Sequence, residues 1–306
     1  MTQEIPATCT PAWVFERYEA IRQRLPTAAF PQSSRQCRNL EELTDQFDAY
    51  LFDSFGVLNV GETAIPGAQE RLEQLRQAGK RVAVLTNAAT GPLSGLVGKY
   101  AALGFDFPRN EIISSREVLA EAVAGYNAGL VWGIAAPKTS QVEELGIKSV
   151  RLAGDNDSFD TADGFILLSS KNWTAERQDR LHDALLKRPR PLLVGNPDLA
   201  APRENALSIE PGTFAHAIAD RCDVAPEFFG KPFGNAFETA IRQIAPDVPR
   251  HRIAMIGDTL HTDILGGGAA GLGTVLVTDH GVLRDLDLQA CISTSGIVPD
   301  YILPSI

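Results

Sequence analysis

The sequence predicts an α/β protein in which helices wrap a Rossmann-like parallel β-sheet, with a smaller α/β domain inserted into the chain. From residue 48 onward, short β-rich runs alternate with amphipathic segments of helical period. The β-rich runs are apolar throughout, which is typical of strands covered on both faces by helices. The region 116–194 has strand and helix patterns of its own, so we expect it to form the inserted domain.

The first part of the chain predicts a helical segment and then a regular alternation of strands and helices. A helix is expected over 11–25, because Pro11 suits a first helical turn and Pro26 ends the pattern. A strand at 49–52 leads to a helix at 66–79. The remaining predicted elements of the main sheet are a helix at 92–104 and strands at 81–86, 111–115, 191–196, 252–258 and 273–279.

The inserted region contains enough predicted elements for a small domain. These are strands at 130–136, 148–154 and 162–169, and helices at 139–146 and 174–187. We therefore expect three parts: an N-terminal helical extension (1–40), a core (41–115 and 195–306) and a cap (116–194).

Composition and charge argue against several classes of protein. The formal charge is −10, and Lys and Arg form no run, so we expect no nucleic-acid partner. No apolar stretch approaches the roughly 18–20 residues of a membrane span. The four cysteines are scattered and the N-terminus lacks a signal-peptide pattern, so a cytoplasmic protein with reduced thiols is expected. A small anionic ligand stays compatible with the charge, because a few local cations or a metal can reverse the field in one cleft.

Carboxylates follow two of the predicted main-sheet strands, at the edge where parallel α/β sheets bind ligands. Asp53 ends the strand at 49–52, Asp258 ends the strand at 252–258, and Asp263 follows five positions later. Magnesium prefers one or two carboxylates together with waters and substrate phosphate oxygens. These residues therefore predict a Mg²⁺ site.

Neutral and cationic residues that could bind a phosphate follow another predicted strand and lie in a Gly/Pro-containing loop. Thr86 and Asn87 follow the strand at 81–86, where a hydroxyl and free backbone N–H groups are available to an anion. Lys231 lies in the loop "FFGKPFG" and offers a point charge. Together with the carboxylates, this set predicts chemistry on phosphoryl groups, with one carboxylate as nucleophile.

Four stretches, "DSFGVL", "VLTNA", "GKP" and "MIGDTLHTD", resemble the four ordered motifs of the haloacid dehalogenase superfamily of hydrolases. More narrowly, the chain resembles its NagD-like group, whose cap lies between the second and third motifs. The resemblance covers about 45–285. Spacing agrees, because 33 positions separate Asp53 from Thr86 and 145 separate Thr86 from Lys231, which leaves room for the cap only in the second interval.

The resemblance implies a role for each matching residue. Asp53 corresponds to the nucleophile that forms an aspartyl-phosphate, and Asp263 to the acid that supports the metal and its waters. Catalytic or phosphate-binding roles are implied for Ser54, Thr86, Asn87 and Lys231, and metal ligation for Asp53, Asp258 and the backbone carbonyl of Phe55. The expected substrate is a small phosphorylated metabolite such as a sugar phosphate.

Phe55 departs from the family pattern, in which phosphatases usually carry a second aspartate that protonates the leaving group. Phenylalanine transfers no proton, and general acid–base catalysis typically supplies about 10²–10⁴-fold in rate. Three alternatives stay open: a substrate whose leaving group needs no protonation, a proton donor from the cap or the substrate, or a protein that binds a phosphorylated ligand with little or no turnover. Another carbon–X bond hydrolase of the superfamily is a further alternative for the activity. Separately, self-association into a homo-oligomer stays open.

Overall fold

The computed structural model describes residues 5–6, 8–152, 157–203 and 206–306, and its main feature is a seven-stranded parallel sheet. The central strand Ala49–Phe52 pairs with Ile253–Gly257 on one side and Arg81–Thr86 on the other. The full spatial order is Arg35–Gln36, Tyr301–Leu303, Gly273–Val277, Ile253–Gly257, Ala49–Phe52, Arg81–Thr86, Ile112–Ser114. The predicted α/β fold with a parallel core is confirmed.

Both faces of this sheet are covered, which explains the continuous apolar runs in the sequence. Tyr50 and Phe52 point into one hydrophobic cluster, whereas Ala49 and Leu51 point into another. The α-helices are Pro11–Ala20, Ala68–Gln77, Leu93–Ala102, Ser115–Val123, Ser158–Thr161, Ala175–Lys187, Pro211–Ala219, Gly234–Ile244, Leu265–Ala269 and Leu288–Ser295. Shorter 3₁₀ turns are Arg22–Arg24, Leu40–Leu43, Arg109–Glu111, Lys138–Ser140, Val142–Leu145 and Arg250–Arg252, and Leu260–Ile264 is a π-helical turn.

A second parallel sheet of five strands is built from the middle of the chain. Its order is Glu227–Phe228, Leu192–Val194, Gly164–Leu167, Trp132–Ala135, Ser149–Arg151. The strand predicted at 191–196 was expected in the main sheet, and that expectation is wrong, because it pairs with Gly164–Leu167. The inner strands of both sheets are buried on both faces, so their apolar patterns look alike. The last two positions of the strand predicted at 148–154 lie outside the described residues.

Local chain geometry changes one further predicted element. The helix predicted at 139–146 consists of two 3₁₀ turns, because Gln141 between them has a left-handed backbone with φ of 46°. Two antiparallel hairpins complete the fold, Asn59–Val60 with Thr63–Ala64 and Ala200–Pro202 with Leu207–Ile209. The division into extension, core and cap stays a prediction.

The N-terminal helix packs onto the body of the protein. It starts after Thr10, whose hydroxyl accepts the Trp13 N–H at 3.2 Å, and it ends at Ala20 rather than continuing to 25. Val14, Tyr18 and Ile21 are buried in one cluster with residues of the main sheet and of the Leu260–Ile264 turn, among them Leu260 and Leu276. Among the described residues, none of the helices has the length and apolar character needed to cross a bilayer.

We predict that Ile21→Ala lowers the free energy of unfolding by about 2–5 kcal/mol, because Ile21 is 1% exposed and its truncation leaves a cavity. Denaturant unfolding measures the change. Ile21 is the C-cap of the helix Pro11–Ala20, and Glu16→Ala, on an exposed position of that helix, is the control and should stay within about 0.5 kcal/mol of wild type. Equal stability of Ile21→Ala and wild type would show that the helix does not belong to the cooperative fold.

Candidate active site

Asp53 is fixed at the end of the central strand by hydrogen bonds of its main chain and side chain. Its N–H donates to the carbonyl of Ile256 at 2.8 Å, and its Oδ1 accepts the N–H of Ser54 at 2.7 Å. The Ser54 hydroxyl is buried and donates to Asn59 Oδ1 at 2.8 Å, which ties the turn to the following hairpin. Ser54 therefore supports the turn that carries Asp53, and its hydroxyl is not among the groups that line the cavity.

Glycine at two positions lets the backbone approach Asp258 closely. Gly56 has a left-handed backbone with φ of 81°, and a Cβ there would lie 2.7 Å from Asp258 Oδ2. A Cβ at Gly281 would also collide with the Asp258 side chain. The carboxylate accepts the Val282 N–H at 2.8 Å and the Thr259 hydroxyl at 2.9 Å. Asp258 is thereby held in one orientation.

Asp263 belongs to the turn that follows the same strand. Its Oδ2 accepts the N–H of Thr259 at 3.1 Å, and the side chain is fully buried. A Cβ at Gly257 would collide with the Asp263 side chain, so this approach also requires glycine. The sequence separation of five positions thus returns a second carboxylate to the end of the strand.

Lys231 connects the carboxylates. Its ammonium Nζ lies 2.6 Å from Asp53 Oδ1 and 2.7 Å from Asp263 Oδ1, and the side chain is 2% exposed. Asn87 holds the lysine main chain at both polar atoms, since its Oδ1 accepts the Lys231 N–H at 2.8 Å and its Nδ2 donates to the Lys231 carbonyl at 2.9 Å. Asn87 therefore acts here through the position of Lys231.

The three carboxylates form one cluster of high charge density. Asp53, Asp258 and Asp263 each place a carboxylate oxygen within 4.8 Å of the others. Burial, together with Asp263 and Asp53, raises the pKa of Asp258 to about 8. Burial raises the pKa of Asp53 to about 6, with Lys231 opposing the rise and Asp263 adding to it. Three carboxylates facing one ammonium leave an excess of negative charge, which a divalent cation would balance.

A cavity of about 650 Å³ opens above this cluster. Thr86 lines its floor, and the loop of the second sheet that carries Ser169 and Lys171 lines its side. This loop contacts the core through Thr90, whose hydroxyl donates to Ser169 Oγ at 3.0 Å. Tyr18 of the N-terminal helix closes another part of the wall. The volume is suited to a small molecule.

Phe55 also lines the cavity, and two cations lie over its ring. Lys99 Nζ is 3.9 Å and Arg203 Cζ is 4.7 Å from the ring centroid. Both distances fall within the range of cation–π attraction. Lys99 and Arg203 line the cavity as well, so the position of the usual acid is occupied by an aromatic ring with two positive groups.

Eight site residues are predicted from the sequence, and the structure brings seven of them to the cavity or to the carboxylate cluster: Asp53, Phe55, Thr86, Asn87, Lys231, Asp258 and Asp263. Asp198 is not among these predicted residues, although its carboxylate accepts a hydrogen bond from Asn87 Nδ2 at 2.7 Å and its burial raises its pKa well above normal. Asp198 lies four positions beyond the buried strand Leu192–Val194, whereas Asp53 directly follows its strand, so the local sequence signal for Asp198 is weaker. Lys99, Arg203 and Tyr18 had no such signal.

The N-terminal helix contacts the Leu260–Ile264 turn, which follows Asp258 and contains Asp263. The Tyr18 ring stacks on His261 at 4.9 Å between centroids, and the Tyr18 hydroxyl accepts the Leu199 N–H at 3.1 Å. Glu19 Oε1 lies 2.5 Å from His261 Nε2. His261 is therefore engaged with the helix and is not part of the carboxylate cluster.

Known proteins resemble this chain along most of its length. Family profiles described as haloacid dehalogenase-like hydrolase and HAD-hydrolase-like match residues 50–148 and 228–306. Human glycerol-3-phosphate phosphatase is 30% identical, with 87% of this chain and 91% of that protein covered. A protein from Cytophaga hutchinsonii described as a possible sugar phosphatase is 29% identical with a TM-score of 0.79, covering 89% of this chain and 98% of its own. NagD of Escherichia coli shares the fold, at 21% identity and a TM-score of 0.65, covering 85% and 97%.

We predict that the metal-free protein becomes more stable as the pH falls from 9 to 7. The folded-state pKa of Asp258 is about 8, above its ordinary value near 3.8, so in this range the folded state binds more protons than the unfolded state. Buried histidines such as His216, whose pKa burial lowers to about 3, oppose this only below about pH 6.5. Thermal unfolding in a chelator measures the dependence.

The control for this pH dependence is the exposed carboxylate Asp285. Asp285→Asn should keep the gain in stability between pH 9 and 7, whereas Asp258→Asn should remove most of it. A flat or inverted dependence in the wild-type protein would contradict the crowding of buried carboxylates described above.

Proposed function

Because the chain belongs to the haloacid dehalogenase-like hydrolases, we propose that it removes the phosphoryl group from a small phosphorylated metabolite by way of an aspartyl-phosphate at Asp53. It is a hydrolase of the phosphatase type. The observation that carries the proposal is the contact of the Lys231 ammonium with Asp53 and Asp263 directly beneath the cavity.

Asp53 is the proposed nucleophile, and its surroundings support that role. Its carboxylate faces the cavity, and the Ser54 N–H and the Lys231 ammonium fix its Oδ1. A carboxylate attacks phosphorus effectively when it is oriented and when the charge that develops on the phosphoryl oxygens is balanced. Lys231 supplies one balancing charge, and its own charge is secure, since Asp263, Asp53 and Asp198 raise its pKa against the effect of burial.

The donor set fits magnesium. Asp53, Asp258 and, through its support of the site, Asp263 would hold the ion, with the carbonyl of Phe55 as a further proposed ligand. The backbone after Phe55 does lie against the Asp258 carboxylate, since Gly56 has no side chain to separate them. When bound, the ion supplies Lewis-acid polarisation of the phosphoryl oxygens and orientation of the substrate.

Thr86 is proposed to hold the phosphate directly, and Asn87 is proposed to support phosphate binding through the position of Lys231. Thr86 lines the cavity, its hydroxyl oxygen accepts the N–H of Ala88 at 3.3 Å, and a hydroxyl is a suitable donor to a phosphate oxygen. Asn87 acts through Lys231, as described above. The Ser54 hydroxyl donates its proton to Asn59 Oδ1. A contact between Ser54 and the phosphate therefore stays a prediction.

The size of the cavity and the named activities of the relatives support a small phosphorylated substrate. Glycerol phosphate and sugar phosphates, which the names of the relatives carry, are of a size that a cavity of about 650 Å³ admits. We expect turnover of such alkyl esters to be low, because Phe55 occupies the position from which the leaving group is usually protonated and has no proton to donate.

We predict that Asp53→Asn lowers phosphate release with Mg²⁺ by at least about 10³-fold, because the amide cannot form the covalent intermediate. A colorimetric phosphate assay over a panel of phosphorylated metabolites measures the loss. Asp285→Asn, an exposed carboxylate that does not line the cavity, should keep full activity. Unchanged turnover in Asp53→Asn would rule out the proposed nucleophile, and thermal stabilisation by a metabolite without turnover in the wild-type protein would favour a binding protein.

We predict that Phe55→Asp raises the turnover of glycerol 3-phosphate by about tenfold. The new carboxyl supplies the missing proton, but it falls short of the usual contribution of about 10²–10⁴ because Lys99 and Arg203 favour its ionised form. Phe55→Asn, of similar shape but without an acid, is the matched control and should give no gain. No gain from Phe55→Asp would contradict our account of Phe55.

A further inference from the structure

Lys99 and Arg203 reach the Phe55 ring from two separate parts of the chain. Lys99 extends from the helix Leu93–Ala102 beside the main sheet, and Arg203 follows the strand Ala200–Pro202 of the hairpin. The two cations and the ring line the same cavity. Two cationic side chains thus lie where the family usually places a proton donor, and the Glu62 and Glu210 carboxylates line the same cavity.

The arginine is held firmly in this position. Its Nη2 lies 3.1 Å from Glu210 Oε1, and its Nε donates to Ser208 Oγ at 3.0 Å. Glu210 is itself anchored, since its Oε2 accepts the Asn196 amide at 3.1 Å. A guanidinium carries five N–H donors, so these two contacts leave others for a ligand in the cavity.

Fixed cations and a proton donor suit different leaving groups. An alkoxide is strongly basic and needs a proton as its bond to phosphorus breaks, whereas a carboxylate or a phosphate departs as a stable anion and needs only charge stabilisation. Nucleophile and leaving group lie roughly in line across the phosphorus, so the leaving oxygen faces away from Asp53 into the cavity that Phe55, Lys99 and Arg203 line.

We propose that the preferred substrates are phosphorylated compounds whose leaving group departs as a weakly basic anion, namely acyl phosphates or phosphoanhydrides, with Lys99 and Arg203 stabilising that anion. This inference rests on the proposed phosphatase function and names the substrate class of the same site. Phe55 is then the platform that holds two cations at the leaving group.

The covalent steps balance without a general acid. Asp53 forms a bond from its carboxylate oxygen to phosphorus, the bond from phosphorus to the leaving oxygen breaks, and the carboxylate or phosphate leaves with the electron pair. Water then attacks the phosphorus of the aspartyl-phosphate, and the bond to Asp53 breaks, which restores its carboxylate. Both protons of the water stay on the released phosphate, which equilibrates with solvent.

The test is the dependence of kcat/KM on the basicity of the leaving group, measured with Mg²⁺ for acetyl phosphate, pyrophosphate, 4-nitrophenyl phosphate, phenyl phosphate and glycerol 3-phosphate. In the wild-type protein kcat/KM should fall steeply along the series, by about 10²–10⁴-fold or more between acetyl phosphate and glycerol 3-phosphate. Acetyl phosphate and pyrophosphate separate the two substrate classes. In Phe55→Asp the dependence should become shallower.

Lys99→Met and Arg203→Gln test the cations directly. Each should lower kcat/KM for acetyl phosphate or pyrophosphate by about tenfold or more and should lower that for glycerol 3-phosphate less, because an anion at the leaving oxygen loses its stabilisation. Lys187→Met removes an exposed lysine on the helix Ala175–Lys187 and is the matched control, with no change expected.

The outcomes separate the two levels of the argument. In one outcome, the wild-type protein turns over the whole series with kcat/KM values that depend only weakly on the basicity of the leaving group. If Phe55→Asp leaves that dependence unchanged, the proposed substrate class is wrong and the phosphatase function stands. An equal loss on every compound in Lys99→Met and Arg203→Gln overturns the role of the cations at the leaving group. Absence of turnover of every compound, acetyl phosphate included, overturns the proposed function itself.

Discussion

The Lys231 ammonium is buried between Asp53 and Asp263, at 2.6 Å and 2.7 Å, with Asp258 in the same cluster. Burying such charges is costly unless each is paired, and removing one partner leaves an uncompensated charge. The rest of the site serves this constraint. Asn87 fixes the lysine main chain, glycines at 56, 257 and 281 let the acids approach the backbone, and the ends of parallel strands bring all of them to one edge.

In this site, the groups that would stabilise charge are present, whereas the usual proton donor is absent from position 55. In the proposed mechanism, the carboxylates and Lys231 provide a nucleophile, a donor set for a divalent ion and a charge for the phosphoryl oxygens. The group that would deliver a proton is replaced by Phe55, with Lys99 and Arg203 over its ring. The same fold can therefore favour a different class of leaving group through one residue and the cations that it attracts.

The central elements were predictable from the sequence because each depends on a local pattern. Asp53 and Asp258 follow apolar runs, and the ends of parallel strands share one edge. The strand at 192–194 was placed in the wrong sheet because two doubly covered parallel sheets produce the same apolar pattern. The contacts of Phe55 with Arg203 and of Tyr18 with His261 join positions that are distant in sequence, and no local pattern encodes them.

We propose that Asp53, oriented by Lys231, becomes covalently phosphorylated. The direct measurement is mass spectrometry of the protein after brief exposure to acetyl phosphate and Mg²⁺, acid quenching and borohydride reduction, which converts an aspartyl-phosphate into homoserine. The account predicts homoserine at position 53 and at no other aspartate. An unmodified Asp53 under conditions of rapid phosphate release, or homoserine at another position, would contradict it.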